Sequence, residues 1–173
     1  WKQKNFGKDL YKGDFINLGV GQGYMLTTPL HLALLTALIA KKGEYQIPYI
    51  VNKKSQNTLV LKNKLSDDDW DRLNNSLINV VYSPNGTAFR VNAGNLKMAG
   101  KSGTSQVVDI SSRAEYDEVR KNPLLRDHAV FIGYAPHDNP KFAIAVVIEN
   151  GESGGRTAGP VAKEILEVLT VEN

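Results

Sequence analysis

The sequence predicts an α/β fold of the α+β kind: an antiparallel sheet of about three strands with helices packed on it. Three observations carry that prediction. "HAVFIGYA" (128–135) and "KFAIAVVIE" (141–149) are short apolar runs joined by "PHDNP", whose Pro, Asp and Asn are turn formers. "TPLHLALLTALIA" opens with Thr28 as a helix N-cap and Pro29 at the first helical position, where its missing N–H costs nothing. After "GESGGRTAG", Pro160 opens a segment in which Val161, Ala162, Ile165, Val168 and Leu169 form one helical stripe that should lie on the sheet. With 173 residues, 42% of them hydrophobic, and no linker-like shift in composition, residues 1–173 read as one folding unit with a real core.

The elements follow in order. "GDFINLGVGQGYM" spaces glycines at 19, 21 and 23, which predicts a tight backbone path more than regular structure; the spacing does not match G-x-G-x-x-G. The helix begun at Pro29 should run until Gly43 caps it, and its apolar residues fall on nearly every face, so it is expected to be buried at the centre. "EYQIPYIVNKKSQNTLVLKNK" has the β-branched residues of short irregular strands. Ser66 with Asp69 three residues on is a capping-box start, and Trp70, Leu73, Leu77, Val80 and Val81 recur on one helical face. That helix should stop before the turn "SPNG", and a short helical piece, "TAFRV", should follow. "SGTSQVV" (102–108) reads as the first strand of the sheet. The polar stretch from Asp109 to Asp127 is long for a hairpin connection and reads as a surface loop with some helix, or as disordered.

Charge and composition remove several functions. The net charge of +3 and pI near 9.0 come from scattered Lys and Arg with nearly as many acids, so no basic stripe points to nucleic acid. There is no cysteine, hence no disulfide and no thiolate metal site. The longest apolar run, Leu30 to Ala40, is shorter than the roughly 20 residues that span a bilayer. The opening "WKQKNFGKDLYKGDF" has no initiating Met and no signal-peptide pattern, and reads as the interior of a longer protein. His31 reads as a core histidine, and the three histidines give no metal-ligand spacing. Asp67, Asp68 and Asp69 read as first-turn acids of a helix, and Trp70 as core.

The stretch "MAGKSGTSQVV" is the chemically informative one. Two chemistries place a lysine among such small residues. A phosphate loop, G-x-x-x-x-G-K-[ST], needs four residues between its glycines, whereas five separate Gly94 from Gly100; it also needs a helix after the lysine, whereas "GTSQVV" continues as a strand. The K-[ST]-G element of the penicillin-recognising serine acyltransferases sits on a strand lining a cleft, which fits.

Around this element the chain resembles the class B penicillin-binding proteins, the monofunctional D,D-transpeptidases of peptidoglycan synthesis. The stretches that carry the resemblance are "GDFINLGVGQGYMLTTPLHLA", "NGTAFRV", "MAGKSGTSQ", "HAVFIGYAP", "FAIAVVIENGESGG" and "AGPVAKEIL", in family order. The opening "WKQKNF…YKGDF" is most similar to the member that acts in elongation and rod shape. The resemblance implies an incomplete penicillin-binding-protein/β-lactamase-like transpeptidase fold, and that residues 1–173 are the C-terminal part of the domain. It implies no cofactor, a periplasmic location with an inner-membrane anchor outside this chain, and as partners stem peptides, β-lactams and the elongation machinery. Lys101 would supply positive potential for the substrate carboxylate and for proton traffic. Ser102 and Thr104 would offer hydroxyls to that carboxylate, the Thr104 backbone N–H would be one of two oxyanion donors, and Ser102, Gly103, Thr104 and Ser105 would form the substrate-binding run. Ser102 stands where Thr is commoner and keeps the hydroxyl.

The sequence departs from the family in one respect. No serine has a lysine three positions later, so the nucleophile motif Ser-x-x-Lys is absent and the polypeptide alone is expected to be inactive. The second element, Ser-x-Asn, should precede "GQG"; "SQN" at Ser55 and "SPN" at Ser83 come after it and read as turns. A non-enzymatic β-lactam sensor would share the same strand, and a nucleotide-binding protein is the remaining, poorly fitting alternative. The family sheet implies that the strand 141–149 loses a neighbour supplied by the rest of the domain, so this polypeptide is also expected to self-associate as a homodimer.

Overall fold

The computed structural model describes residues 1–49, 58–60, 65–108, 110 and 112–171. In chain order the elements are helices α1 (Lys2–Phe6), α2 (Lys12–Gly19) and α3 (Pro29–Ala40), strands β1 (Glu44–Gln46) and β2 (Thr58–Val60), helix α4 (Asp67–Tyr82) and strand β3 (Ala99–Ser105). Helix α5 (Arg113–Val119), strands β4 (His128–Ala135) and β5 (Phe142–Ile148) and helix α6 (Gly159–Val171) complete them.

Helix α2 corrects the reading of the glycine-rich opening. Its N-terminus is fastened by Asp14, whose Oδ2 accepts the Tyr11 N–H at 2.7 Å and also pairs with the Lys2 ammonium. The tight path begins only after Gly19, where Gly21 (φ 80°) and Gly23 (φ 73°) take the left-handed conformation that a side chain would resist. Helix α3 begins as expected: Thr28 Oγ1 accepts the His31 N–H at 3.2 Å, and Gly43, at φ 91°, turns the chain after it. It is not buried on all sides. One face packs on β4 and β5, while Leu30 and Leu35 remain 56% and 47% exposed. Thr36 is its buried residue, with its hydroxyl on Leu32 O at 2.7 Å. His31 is exposed, not in the core.

Helix α4 starts with the capping box: Ser66 Oγ accepts the Asp69 N–H at 3.2 Å, and Asp69 Oδ2 accepts the Ser66 N–H at 3.4 Å. Trp70, Leu77 and Val81, spaced seven and four apart, are its buried face. "FRV" forms a 3₁₀ turn at Phe89–Val91, as expected. Ser83 ends α4, with its carbonyl accepting the Gly86 N–H at 2.7 Å, while the "SQN" at Ser55 lies outside the described residues.

The sheet is antiparallel in the order β3-β4-β5. Strand β3 begins three residues earlier than expected and ends at Ser105 instead of Val108. Its register, Ala99↔Tyr134 through Ser105↔His128, stops where β4 starts, so residues past Ser105 have no strand opposite them. The segment between β3 and β4 holds α5 and is tied down by the loop after β5: Asn150 Nδ2 donates to Leu124 O and Arg126 O at 3.1 and 2.8 Å.

Alternation sorts the sheet into two faces. Ala99, Lys101, Gly103, Val130, Ile132, Tyr134, Ala143 and Ala145 share the face toward α3 and α4. Gly100, Ser102, Thr104, Ala129, Phe131, Phe142, Ile144 and Val146 share the face toward α6. The main core lies on the second face, where Phe131, Met98, Ala162 and Leu166 are fully buried. The stripe expected of α6 is corrected here. The helix buries Gly159, Ala162 and Leu166, while Val161, Ile165 and Val168 are exposed. Apolar side chains occur on both sides of this helix, so periodicity alone left its inner face undetermined.

Candidate active site

Lys101, Ser102, Gly103 and Thr104 lie in the middle of β3, paired on one side with Ile132, Phe131, Val130 and Ala129. Among the described residues no strand pairs with the other side of β3. An edge strand leaves half its N–H and C=O groups pointing outward, where an extended peptide can add to it. Two shallow hollows of about 350 and 360 Å³ are elsewhere, one lined by Trp1 and Leu18, the other by Tyr82 and His137. The Lys-Ser-Gly-Thr run itself lies on an edge that no other described strand covers.

The side chains divide by the pleat. Lys101 is exposed on the α3/α4 side, and its Nζ donates to the carbonyl of Ser102. Ser102 is half-buried on the α6 side, with Oγ 2.7 Å from Thr87 Oγ1. Thr104 and Ser105 are exposed. Gly103 has room for a methyl group, since an added Cβ would meet Val130 Cβ at an ordinary 3.5 Å. Packing within the chain does not demand glycine there.

What backs the strand is a π-helical turn, Gly154–Ala158. A Cβ on Gly154 would fall 2.1 Å from Val130 O and 2.4 Å from Gly103 O, and one on Gly155 would fall 2.2 Å from Thr87 O. Backbone packs directly on backbone, so the turn sets where β3 and the Thr87 loop stand relative to each other.

No nucleophile and base are paired here. Ser102 bonds a threonine hydroxyl, which cannot take its proton. His128 starts β4, but its Nδ1 accepts the Asn150 N–H at 2.9 Å, a structural use of the ring. The hydroxyl of Tyr134, on the α3/α4 face of β4, has its pKa pushed up to about 12 by burial and donates to Asn74 Oδ1, so it holds its proton at neutral pH. Among the described residues no group of three or more His, Asp or Glu is placed to hold a metal ion. No described helix is long and apolar enough to cross a membrane. The phosphate-loop alternative fails on geometry: Gly100-Lys101-Ser102 is strand, and strand follows it.

The structure thus brings the expected run together on one edge, and adds Thr87, Gly154 and Gly155, to which the sequence reading had given no role. The Gly-Gly dipeptide was a visible signal of close backbone approach. Thr87 lay inside the quoted stretch "NGTAFRV", but fifteen residues from Ser102 no spacing linked the two.

The Penicillin binding protein transpeptidase domain model matches residues 2–167. The peptidoglycan D,D-transpeptidase MrdA of Haemophilus influenzae is 34% identical over 179 residues, covering 96% of this chain and 27% of that protein. The crystal structure of Pseudomonas aeruginosa PBP2 in complex with WCK 5153 superposes with a TM-score of 0.74 at 35% identity, over 98% of this chain and 35% of that one. PBP2 of Helicobacter pylori in its complex with MreC superposes with a TM-score of 0.81 at 28% identity, over the whole of this chain and 30% of that one. The chain therefore spans about a third or less of the length of these relatives, and it belongs to the penicillin-binding protein transpeptidase domain family.

Proposed function

We propose that residues 1–173 are the C-terminal part of the transpeptidase domain of a peptidoglycan D,D-transpeptidase of the PBP2 kind, supplying the substrate-binding edge while the serine nucleophile comes from elsewhere in the polypeptide. The observation that carries this is the placement of Lys-Ser-Gly-Thr on an unpaired strand edge in a chain of this family. A stem peptide ending in D-Ala-D-Ala adds alongside β3 as an extended strand. Gly103 keeps that approach clear. The hydroxyls of Ser102 and Thr104 hold the terminal carboxylate, and Lys101, on the other side of the pleat, supplies positive potential for it. The serine attacks the carbonyl of the penultimate D-Ala, and the Thr104 N–H donates to the oxygen that gains charge. The C–N bond to the terminal D-Ala breaks, and that residue leaves as a free amine whose nitrogen takes up the proton that the serine gave up. An amine of a second stem then displaces the serine to form the cross-link. β-Lactams enter as mimics of the D-Ala-D-Ala end.

The reading extends to a periplasmic domain on an inner-membrane-anchored bacterial protein that shapes the cell with the elongation machinery. The relative that forms a complex with MreC supports that extension. Among the described residues β5 is the other edge of the sheet, and the polypeptide 1–173 by itself is expected to dimerise through it or through the exposed apolar face of α3.

The test is intact-mass measurement after incubation with penicillin. The polypeptide 1–173 should stay unmodified, the full-length protein should gain one adduct, and Lys101→Ala in the full-length protein should slow acylation at least tenfold without loss of fold. An adduct on a serine of the 1–173 polypeptide, or no adduct on the full-length protein, would overturn the reading. Acylation without transfer to an amine acceptor would make the protein a β-lactam sensor instead.

A further inference from the structure

We infer that Thr87 is a positioning residue for carboxylate recognition: its hydroxyl holds Ser102 Oγ so that the serine proton is presented to the ligand. The inference rests on the proposed transpeptidase reading and adds to it a residue outside the Lys-Ser-Gly-Thr strand.

The two hydroxyl oxygens are 2.7 Å apart, the usual separation for an O–H···O bond. Either can be the donor, and the ligand decides which. A serine hydroxyl has one proton and two acceptor lone pairs. If Ser102 spends its proton on Thr87, it has only lone pairs to offer a carboxylate, which repels them. If Thr87 donates to Ser102, the serine proton is free to point outward. An anion therefore selects the chain Thr87 O–H to Ser102 O–H to carboxylate, in which each bond polarises the next. The half-buried Ser102 and the exposed Thr87 put this chain at the surface of the strand, within reach of a ligand.

The rigidity of the pair separates it from a chance contact. Thr87 sits on a loop whose Gly86 N–H bonds Ser83 O at 2.7 Å and whose Ala88 N–H bonds Val80 O at 3.0 Å. A Cβ on Gly86 would lie 2.3 Å from Val80 O, so the loop is seated directly on the end of α4. On its other side Gly155 abuts Thr87 O, and the neighbouring Gly154 abuts Val130 O and Gly103 O of the sheet. The distance between the two hydroxyls is thus set by backbone contacts through three glycines. Thr87 is β-branched, which further restricts its χ1. Such preorganisation fixes the direction in which the Thr87 hydroxyl is presented to Ser102.

The experiment measures acylation of the full-length protein by a penicillin with its free carboxylate and by the methyl ester of the same penicillin. Thr87→Val keeps the branched shape and removes the hydroxyl. It should lower the acylation rate constant for the acid about tenfold, the scale of one lost hydrogen bond, while the ester reacts within about twofold of wild type. Thr87→Ser should restore the acid rate. In a Ser102→Ala background, Thr87→Val should cost nothing further, because the residue acts through Ser102. Equal loss for acid and ester would assign Thr87 to packing alone and overturn the inference, as would an unchanged acid rate or additive losses in the double variant. The ester rate also reports whether each variant is folded, and Thr87→Ala is a second way of removing the hydroxyl. Failure of the wild-type protein to label at all would instead overturn the proposed function, and this inference with it.

Discussion

Residues 1–40 and residues 66–171 both contain well-capped helices, yet they cover their apolar side chains to opposite degrees. In the first region the buried residues are Lys2 and Thr36, both polar, while Phe15 and Ile16 on α2 are 60% and 73% exposed. In the second, Phe131, Met98 and Leu166 are fully buried between the sheet and α6. Caps and turns are local and operate in either setting, whereas burial needs a partner surface. The candidate site takes its firmness from the second region, through β4, the π-helical turn and the Thr87 loop. The largest test of the contrast is a pair of truncations. Phe131→Ala removes a ring packed against Gly100, Gly133 and Gly159 and should cost about 3–5 kcal/mol, whereas Phe15→Ala should change stability by under about 0.5 kcal/mol. Urea unfolding of the polypeptide 1–173 measures both. A multi-kcal/mol loss at Phe15 would mean that α2 is packed in solution and that the contrast is false.

Beside the packing of α3 on β4 and β5, the two regions are joined by a polar knot, and it yields an intermediate effect. Asn74 Nδ2 donates to Ile39 O at the end of α3 at 3.2 Å and to Trp70 O at 2.9 Å, while its Oδ1 accepts the hydroxyl of Tyr134 from β4. Asn74→Ala leaves the buried tyrosine O–H without its acceptor and should cost about 1–3 kcal/mol. Tyr134→Phe in that background should recover part of the loss, since it removes the stranded group. Tyr134 also makes the knot pH-sensitive. Its pKa is raised by burial to about 12, above the ordinary 10.0. The neutral form is therefore favoured by folding, its contribution is whole below pH 10, and it is lost as pH rises toward 12. Tyr134→Phe should flatten the alkaline limb of stability. An unchanged limb would remove Tyr134 as its source.

What could be read in advance follows the same division. The Ser66–Asp69 box, the Thr28-Pro29 start and the "PHDNP" turn are signals spanning a few residues, and each produced the expected element. β4 was legible in full. α2 was missed because the glycines that follow it outweighed the carboxylate at Asp14 that starts it. The buried face of α6 was misplaced because Val161, Ile165 and Val168 are as apolar as Ala162 and Leu166; only the neighbours decide. At the site, the Lys-Ser-Gly-Thr strand was legible from its own letters. The Thr87–Ser102 contact joins a loop to strand β3 through tertiary packing, and no local periodicity encodes it.

The smallest effect compares the two carboxylates that start helices in the two regions. Asp14 accepts the Tyr11 N–H ahead of α2, and Asp69 accepts the Ser66 N–H ahead of α4. Both are held below the ordinary 3.8, Asp14 chiefly by its hydrogen bond from the Lys2 ammonium and Asp69 chiefly by the hydroxyl of Ser66. A carboxyl whose folded pKa is depressed stabilises fully above its unfolded value and loses that contribution as pH falls through the folded one. Asp14→Asn and Asp69→Asn should therefore each destabilise slightly at pH 7, with the difference from wild type closing below pH 4. The causes predict different salt responses. The Lys2–Asp14 pair is an attraction between full charges with the ammonium buried, so 0.5 M NaCl should shrink the Asp14→Asn effect only in part. A hydroxyl is neutral, and among the described residues the cation near Asp69 is Arg72 at 3.9 Å on an exposed surface, so the Asp69→Asn effect should persist in salt. Urea unfolding at pH 7 and pH 3, with and without salt, separates the two. An Asp69→Asn effect independent of pH would mean that the amide replaces the carboxylate in the cap equally well, and that shape rather than charge starts α4.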